Sequence, residues 1–372
     1  MKNKDSKVYV LLEDDTEIFG NGTGHVAFRQ YLPVKRYLEI LKKHSIKSTF
    51  FVDVAHILFL KSKINYSDFR LQVLLFEETL RLIHNAGMDI QLHIHSQFSD
   101  AVLIDNQIEV TRKWNIGMID SDKQKKLFNE CYDYLHSTLR KIGSNDQVVA
   151  YKAGSWGIQP FSSLYDAFVQ KNVSLLLGPS KELKIKNLNI DYGSMENDVF
   201  PYFCDKLDVC KIGNRQDVTV LPLSPTYLRW NDLIRYYLSE RIIKKVSKTY
   251  HYDVSDEELQ QKTKYSNIFS DVNDLNLTLK PLLSHMKMNS HPLWYLKKTF
   301  DRTYRHVLSQ NTSSKIIVIE SHTKEFLSSF NDIDRFFEYL TTHYKKIEFI
   351  TASELNYLIK EKVIEPNINC DD

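Results

Sequence analysis

The sequence predicts an α/β protein: a parallel sheet, closed as a barrel or left open, with helices packed outside it. Three observations point there. Short apolar and β-branched runs alternate along the chain with amphipathic stretches of helical period. Those runs end repeatedly in residues able to do chemistry, namely Asp14 and Asp15, His93 and His95, Lys152, and His322. Hydrophobic content of 42%, with 12% aromatic, is enough for a sizeable core in a chain of 372 residues.

The elements follow in order. Val8–Leu12 is the first strand, and it leads through Asp14-Asp15 into a glycine-rich loop, Gly20–Gly24. That loop lacks a following Lys-Ser/Thr, so it does not match a phosphate-binding loop and reads as a flexible turn. A helix starts near Pro33, with Val34, Tyr37, Leu38 and Leu41 on one face. Ser48–Val52 is the second strand. An amphipathic helix from Asp68 stops at Asn85-Ala86-Gly87, and Met88–His95 is the third strand. A helix over Ser121–Ile142 precedes the strand Gln147–Tyr151, which runs into Lys152-Ala153-Gly154-Ser155-Trp156-Gly157. A helix near Phe161–Gln170 is followed by apolar runs at Leu175–Leu177 and Val218–Pro222. The pattern closes with a strand over Lys315–Ile319, a helix near Ile333–His343, a strand over Ile347–Ile350 and a helix from Ala352. This last helix opens with the capping box Thr351–Glu354.

From Tyr227 to Gln310 the rhythm breaks. The stretch reads as mostly helical, carries a basic excess including Arg241, Lys244, Lys245 and Lys248, and is expected to form an insertion over the functional face of a single domain. Net charge is +2, from 49 basic and 47 acidic residues, so global charge points to neither a nucleic-acid nor a membrane partner. No apolar run has the length of a membrane span, and none precedes the first strand; a cytoplasmic location is the expectation. Cys131, Cys204, Cys210 and Cys370 show no Cys-x-x-Cys spacing and read as free thiols.

The residues at the strand ends carry the chemistry. Side chains alternate across a strand, so His93 and His95 point to the same side and can share one ion. In a parallel α/β sheet ligands bind beyond the carboxyl ends of the strands, where Asp14, Asp15, His93, His95, Lys152 and His322 all fall. Imidazoles and a carboxylate suit zinc, cobalt or another first-row divalent ion. Such an ion acidifies water and polarises a carbonyl, while a nearby carboxylate and a histidine can move protons.

The order of these motifs resembles the polysaccharide deacetylase (NodB-homology) family of carbohydrate esterases. Leu12-Glu13-Asp14-Asp15 stands where the family has Thr-Phe-Asp-Asp, and Ser48–Val52 matches its Ala-Thr-Phe-Phe-Val segment. Gly87–His93 matches the histidine motif, Lys152-Ala153-Gly154 the arginine motif, and Ser321-His322 the final histidine. The resemblance implies a deformed (β/α) barrel that removes the acyl group of an N-acetylated sugar. It makes Asp14 the general base, Asp15 a metal ligand beside His93 and His95, His322 the general acid, and Lys152 the group that orients the base. Gly154, Trp156 and Gln97 are then expected around the substrate, and the metal is expected to be zinc.

The chain departs from the family at informative places. The second family histidine would fall at Gln97, so His95 takes its role, as in a His-x-His branch associated with lipopolysaccharide and other surface-polysaccharide biosynthesis. Lys152 lacks the planar fork of an arginine. An alternative register, Asp15-Thr16-Glu17, resembles an Asp-x-Glu version of the motif and moves the base role to Asp15. Other readings remain open: a catalytically degenerate sugar-binding relative, a deformylase, or a His-x-His hydrolase of the amidohydrolase or PHP type. A carrier-linked N-acyl sugar is the expected partner.

Overall fold

The structure, a computed structural model, describes residues 7–105, 107–232, 234–236, 238, 282–289, 291–312, 314–326 and 329–369. The strands are β1 (Val8–Thr16), β2 (Thr49–Asp53), β3 (Asp89–Ile94), β4 (Val102–Ile104), β5 (Gln107–Glu109), β6 (Ala150–Ala153) and β7 (Leu175–Leu177). They continue with β8 (Lys184–Ile185), β9 (Ile190–Asp191), β10 (Tyr202–Phe203), β11 (Thr219–Leu221), β12 (Pro225–Leu228), β13 (Leu282–His285), β14 (Lys315–Ser321) and β15 (Ile347–Ile350). The helices used below are α1 (Leu32–Lys43), α2 (Val54–Ser62), α3 (Ser67–Asn85), α4 (Ser121–Lys141), α5 (Ser162–Lys171), α6 (Leu293–Ser309), α7 (Phe330–His343) and α8 (Ala352–Lys360).

The main sheet runs β10-β11-β7-β6-β3-β2-β1-β14, with β15 also paired to β1. All its pairings are parallel except β10 with β11, as expected for strands joined through helices. The sheet curls, and a short extended segment spans the gap between β11 and β14. Met286 N–H donates to the Ser224 carbonyl, Glu320 N–H to the Met286 carbonyl, and Met288 N–H to the Glu320 carbonyl, at 2.8, 3.0 and 2.7 Å. Val318 N–H donates to Ser224 Oγ at 2.8 Å. These bonds bring the curled sheet to a deformed barrel.

Alternation sorts the side chains. On the inner face Leu11, Phe51, Leu177, Leu221, Ile316 and Val318 fill the lower barrel. On the outer face Val10, Leu12, Phe50, Val52, Leu92 and Ile317 pack into a larger core with the helices. α2 was not anticipated from the sequence; it is buried on nearly every side, so it lacks the two-sided pattern of a surface helix.

The region from Tyr227 to Gln310 differs from the expectation of a strand-free stretch at its ends. β12 and β13 pair antiparallel there, Pro225 opposite His285 and Leu228 opposite Leu282, and α6 follows. Its centre, residues 239–281 with the basic cluster Arg241 to Lys248, lies outside the described residues. Among the described residues no helix is long and apolar enough to cross a membrane.

Candidate metal centre

β1 is longer than the sequence suggested, running to Thr16 rather than Leu12. Its parity sets the chemistry: Leu11, Glu13, Asp15 and Glu17 share the inner face, while Asp14 and Thr16 face the helices. β2 and β3 align Asp53 with His93, and β3 and β6 align His93 with Lys152. β14 brings Glu320 and His322 to the same mouth from the other side of β1.

Three side chains meet as a triad able to hold a metal ion. One ligand atom each from Glu17, His93 and His95 lies within 4.8 Å of the others, and all three residues are buried. His93 Nε2 is 3.0 Å from Glu17 Oε2, and His95 Nε2 also contacts that carboxylate. Behind them, His93 Nδ1 donates to the Lys152 carbonyl at 2.9 Å, which directs Nε2 toward the centre. Gln97 Nε2 lies 2.7 Å from His95 Nδ1 and 2.9 Å from the Gly20 carbonyl. Asp53 Oδ1 accepts from His95 N–H at 3.2 Å and pins the backbone at the end of β3.

The triad fits a metal on its donor chemistry. Two imidazole nitrogens and one carboxylate oxygen, gathered in a buried spot with an outer hydrogen bond on His93, are the donor set of a three-ligand hydrolytic centre. Burial alone would raise the Glu17 carboxyl, but His95, Lys324 and His93 outweigh it and hold it well below the usual range. Burial likewise opposes charge on His93, yet Asp15, Glu17 and Asp53 push it up to about 9. The carboxylates around His93 favour positive charge at its ring, and the same local field favours a bound cation.

Asp15 stands beside the triad. Its Oδ2 is 3.4 Å from His322 Nε2, and its Oδ1 is 3.5 Å from Lys152 Nζ. Burial raises its pKa, against Lys152 and His93. His322 Nε2 also lies 3.7 Å from Glu17 Oε1. Burial, with Lys287 adding to it, pushes His322 well below the ordinary histidine value, against Glu320 and Glu17. Lys152 is fully buried and bonds Glu13 as well as Glu320 Oε2 at 3.1 Å. Burial keeps Glu13 well above the usual carboxylate range despite Lys152.

Asp14, the residue expected as base, is not brought to the centre. Its carboxylate accepts from Thr16 Oγ1 (2.9 Å), Ser321 Oγ (3.0 Å), Thr323 N–H (2.8 Å) and Thr323 Oγ1 (3.0 Å), and so ties β1 to β14 and the turn after it. Gly154 serves packing: a Cβ there would stand 2.3 Å from the Ile94 carbonyl oxygen. Gln97 is buried behind His95. Trp156 is half-buried at the mouth, with Nε1 donating to Glu320 Oε2 at 2.7 Å and the Lys287 ammonium 4.9 Å from its ring centre.

Sequence reasoning did not single out Glu13, Asp53, His285, Lys287, Asn289, Glu320 or Lys324. The alternation His285-Met286-Lys287-Met288-Asn289 was the available signal, since Met286 and Met288 are buried and the polar residues between them face the site.

No family model matches the chain, and no curated protein matches it in sequence. Solved structures do. A protein of Mycobacterium smegmatis named as a polysaccharide deacetylase aligns with 100% of this chain and 96% of its own, with a TM-score of 0.53 and 12% identity. The allantoinase PuuE aligns over 98% and 93%, with a TM-score of 0.51 and 12% identity. At such identities the likeness concerns the path of the backbone, and over nearly its whole length this chain is built on the deformed (β/α) barrel of the polysaccharide deacetylases.

Proposed function

We propose that the protein is a divalent-metal-dependent hydrolase that removes the acyl group from an N-acylated sugar, free or carrier-linked. The observation that carries this reading is the buried Glu17–His93–His95 triad with Asp15 and His322 at its edge. Zinc is the ion best suited to two imidazoles and one carboxylate. Bound there, it supplies Lewis acidity toward the acyl carbonyl and toward an attacking water.

The protein's own groups move the protons. Asp15, rather than Asp14, is the base in this reading, because parity puts it at the mouth with its Oδ1 3.5 Å from the Lys152 ammonium. The proton it takes from water can pass to His322 Nε2, 3.4 Å from Asp15 Oδ2. Burial disfavours charge on His322, which suits delivery of that proton onward to the leaving sugar nitrogen. Water thus supplies the hydroxyl of the released acid and the proton of the released amine. Trp156 and Lys287 offer a half-buried rim on which a sugar can rest.

The test is turnover of N-acetylated and N-formylated amino sugars by zinc-loaded protein, wild type beside Asp15→Asn. The wild type should release acetate or formate, and the variant should lose about 100-fold or more in kcat while keeping its metal. Undiminished turnover in Asp15→Asn would remove it from the mechanism.

A further inference from the structure

The charged side chains joined by ion pairs around the centre are not equally sheltered. Glu13, Asp15, Glu17, Glu320, Lys152 and Lys324 are all buried. Among the described residues of this group, Lys287 is the one that solvent reaches, with 24% of its side chain exposed. The partly exposed Glu325 nearby is engaged by Asn289 Nδ2 at 2.6 Å. A barrel rich in buried carboxylates thus presents an ammonium at its rim.

That ammonium is held in place. Its Nζ is 3.3 Å from Glu320 Oε1 and 4.9 Å from the centre of the Trp156 ring. The indole is fixed in turn, with Nε1 donating to Glu320 Oε2 at 2.7 Å and the Trp156 carbonyl accepting from the Tyr192 hydroxyl. Ser155 and Trp156 both lie in the left-handed region, at φ 51° and 59°, which a bulky side chain keeps only where its surroundings enforce it. Glu320 is also contacted by Lys152 Nζ, at 3.1 Å, so Lys287 is shared between a carboxylate with a second lysine and the open mouth. His322 Nδ1 approaches the same Glu320 Oε1 at 3.8 Å, which sets the ammonium within the span of one sugar ring of that histidine. A carboxylate or phosphate arriving there gains a charge-assisted hydrogen bond, and a neutral hydroxyl gains a weaker one.

We propose that Lys287 is a specificity-determining residue, and that the sugar taken by this site carries an anionic group, a carboxylate or a phosphate, on its N-acylated ring. The assignment deepens the reading of the centre as an N-acyl sugar hydrolase and rests on it.

The experiment is titration calorimetry on zinc-loaded full-length protein, as wild type, Lys287→Met and Lys287→Arg. The probes are glucose, glucuronate, glucose 1-phosphate and glucose 6-phosphate, which have no acyl group to lose, so binding is read without turnover. In wild type at least one charged probe should bind about 10-fold or more tighter than glucose, and its identity separates carboxylate from phosphate. Lys287→Met should bring that probe to within about twofold of glucose, with affinity for glucose, zinc content and circular dichroism unchanged, while Lys287→Arg keeps most of the preference. With N-acetylglucosamine and its charged counterparts as substrates, Lys287→Met should raise KM about 10-fold for the charged ones alone, at unchanged kcat. Charged probes that bind no tighter than glucose, or a preference that survives in Lys287→Met because zinc itself holds the anion, would overturn the proposal. A preference dependent on Lys287 in a protein that turns over no N-acyl sugar would support the anion site and contradict the hydrolase reading, so the two fail separately.

Discussion

At the scale of single residues, one strand's parity decides which of two neighbouring acids faces the candidate metal centre. Asp14 and Asp15 are adjacent in sequence and on opposite sides of β1. The sequence pointed to both, and it held the Asp15-Thr16-Glu17 register open, but ending the strand at Leu12 left no parity to choose with. Asp14 uses its carboxylate on four hydrogen bonds across β1, β14 and the turn after it. Asp14→Asn should therefore cost about 2 kcal/mol in urea unfolding, because the amide replaces one of the two oxygens that accept these four bonds and the hydroxyls facing it must turn, while bound metal is retained. His93 gives a pH prediction. Its folded pKa of about 9 lies above the unfolded value near 6.5, so the stability it adds is complete below pH 6.5 and is lost as pH rises through 9. Metal-free wild type should lose melting temperature over that window more steeply than His93→Gln. Parallel profiles would show that the Asp15, Glu17 and Asp53 charges do not reach the ring.

At the scale of elements, the strand order of the site was legible wherever local pattern and chemistry coincided. Met88–His95 and Gln147–Lys152 were readable because apolar runs end in polar residues of one parity. The segment His285–Asn289 was not, because it is short and is flanked by residues of helical composition. It is held in place by backbone bonds to Ser224 and Glu320, which are distant in sequence. Gly154 was expected near substrate, yet its surroundings explain it by contact between β6 and β3. In Gly154→Ala the new Cβ meets the Ile94 carbonyl, a backbone atom that cannot rotate away. The substitution should cost about 1–3 kcal/mol in urea unfolding and reduce metal content, since His95 follows Ile94 directly. A neutral outcome in both readouts would mean that β3 and β6 can separate freely there.

At the scale of the whole molecule, alternating strands and helices announced a parallel α/β sheet, and the backbone follows that of proteins sharing 12% of its sequence. Closure was beyond local pattern, since it depends on Ser224 meeting Val318 and Met286 across the chain. The same closure gathers the candidate site. β1, β3 and β14 bring Glu17, Asp15, His93, His95 and His322 together, and the segment that completes the barrel brings Lys287 and Asn289 beside them. The central claim is that Glu17, with His93 and His95, holds a divalent ion, and that Asp15 serves beside it. The most direct test is metal content after zinc loading, by elemental mass spectrometry, for wild type, Glu17→Gln and Asp15→Asn, with circular dichroism confirming each fold. The account predicts near-stoichiometric metal in wild type and Asp15→Asn and its loss from folded Glu17→Gln. Metal retained by Glu17→Gln but lost from Asp15→Asn, or absent from wild type, would contradict it.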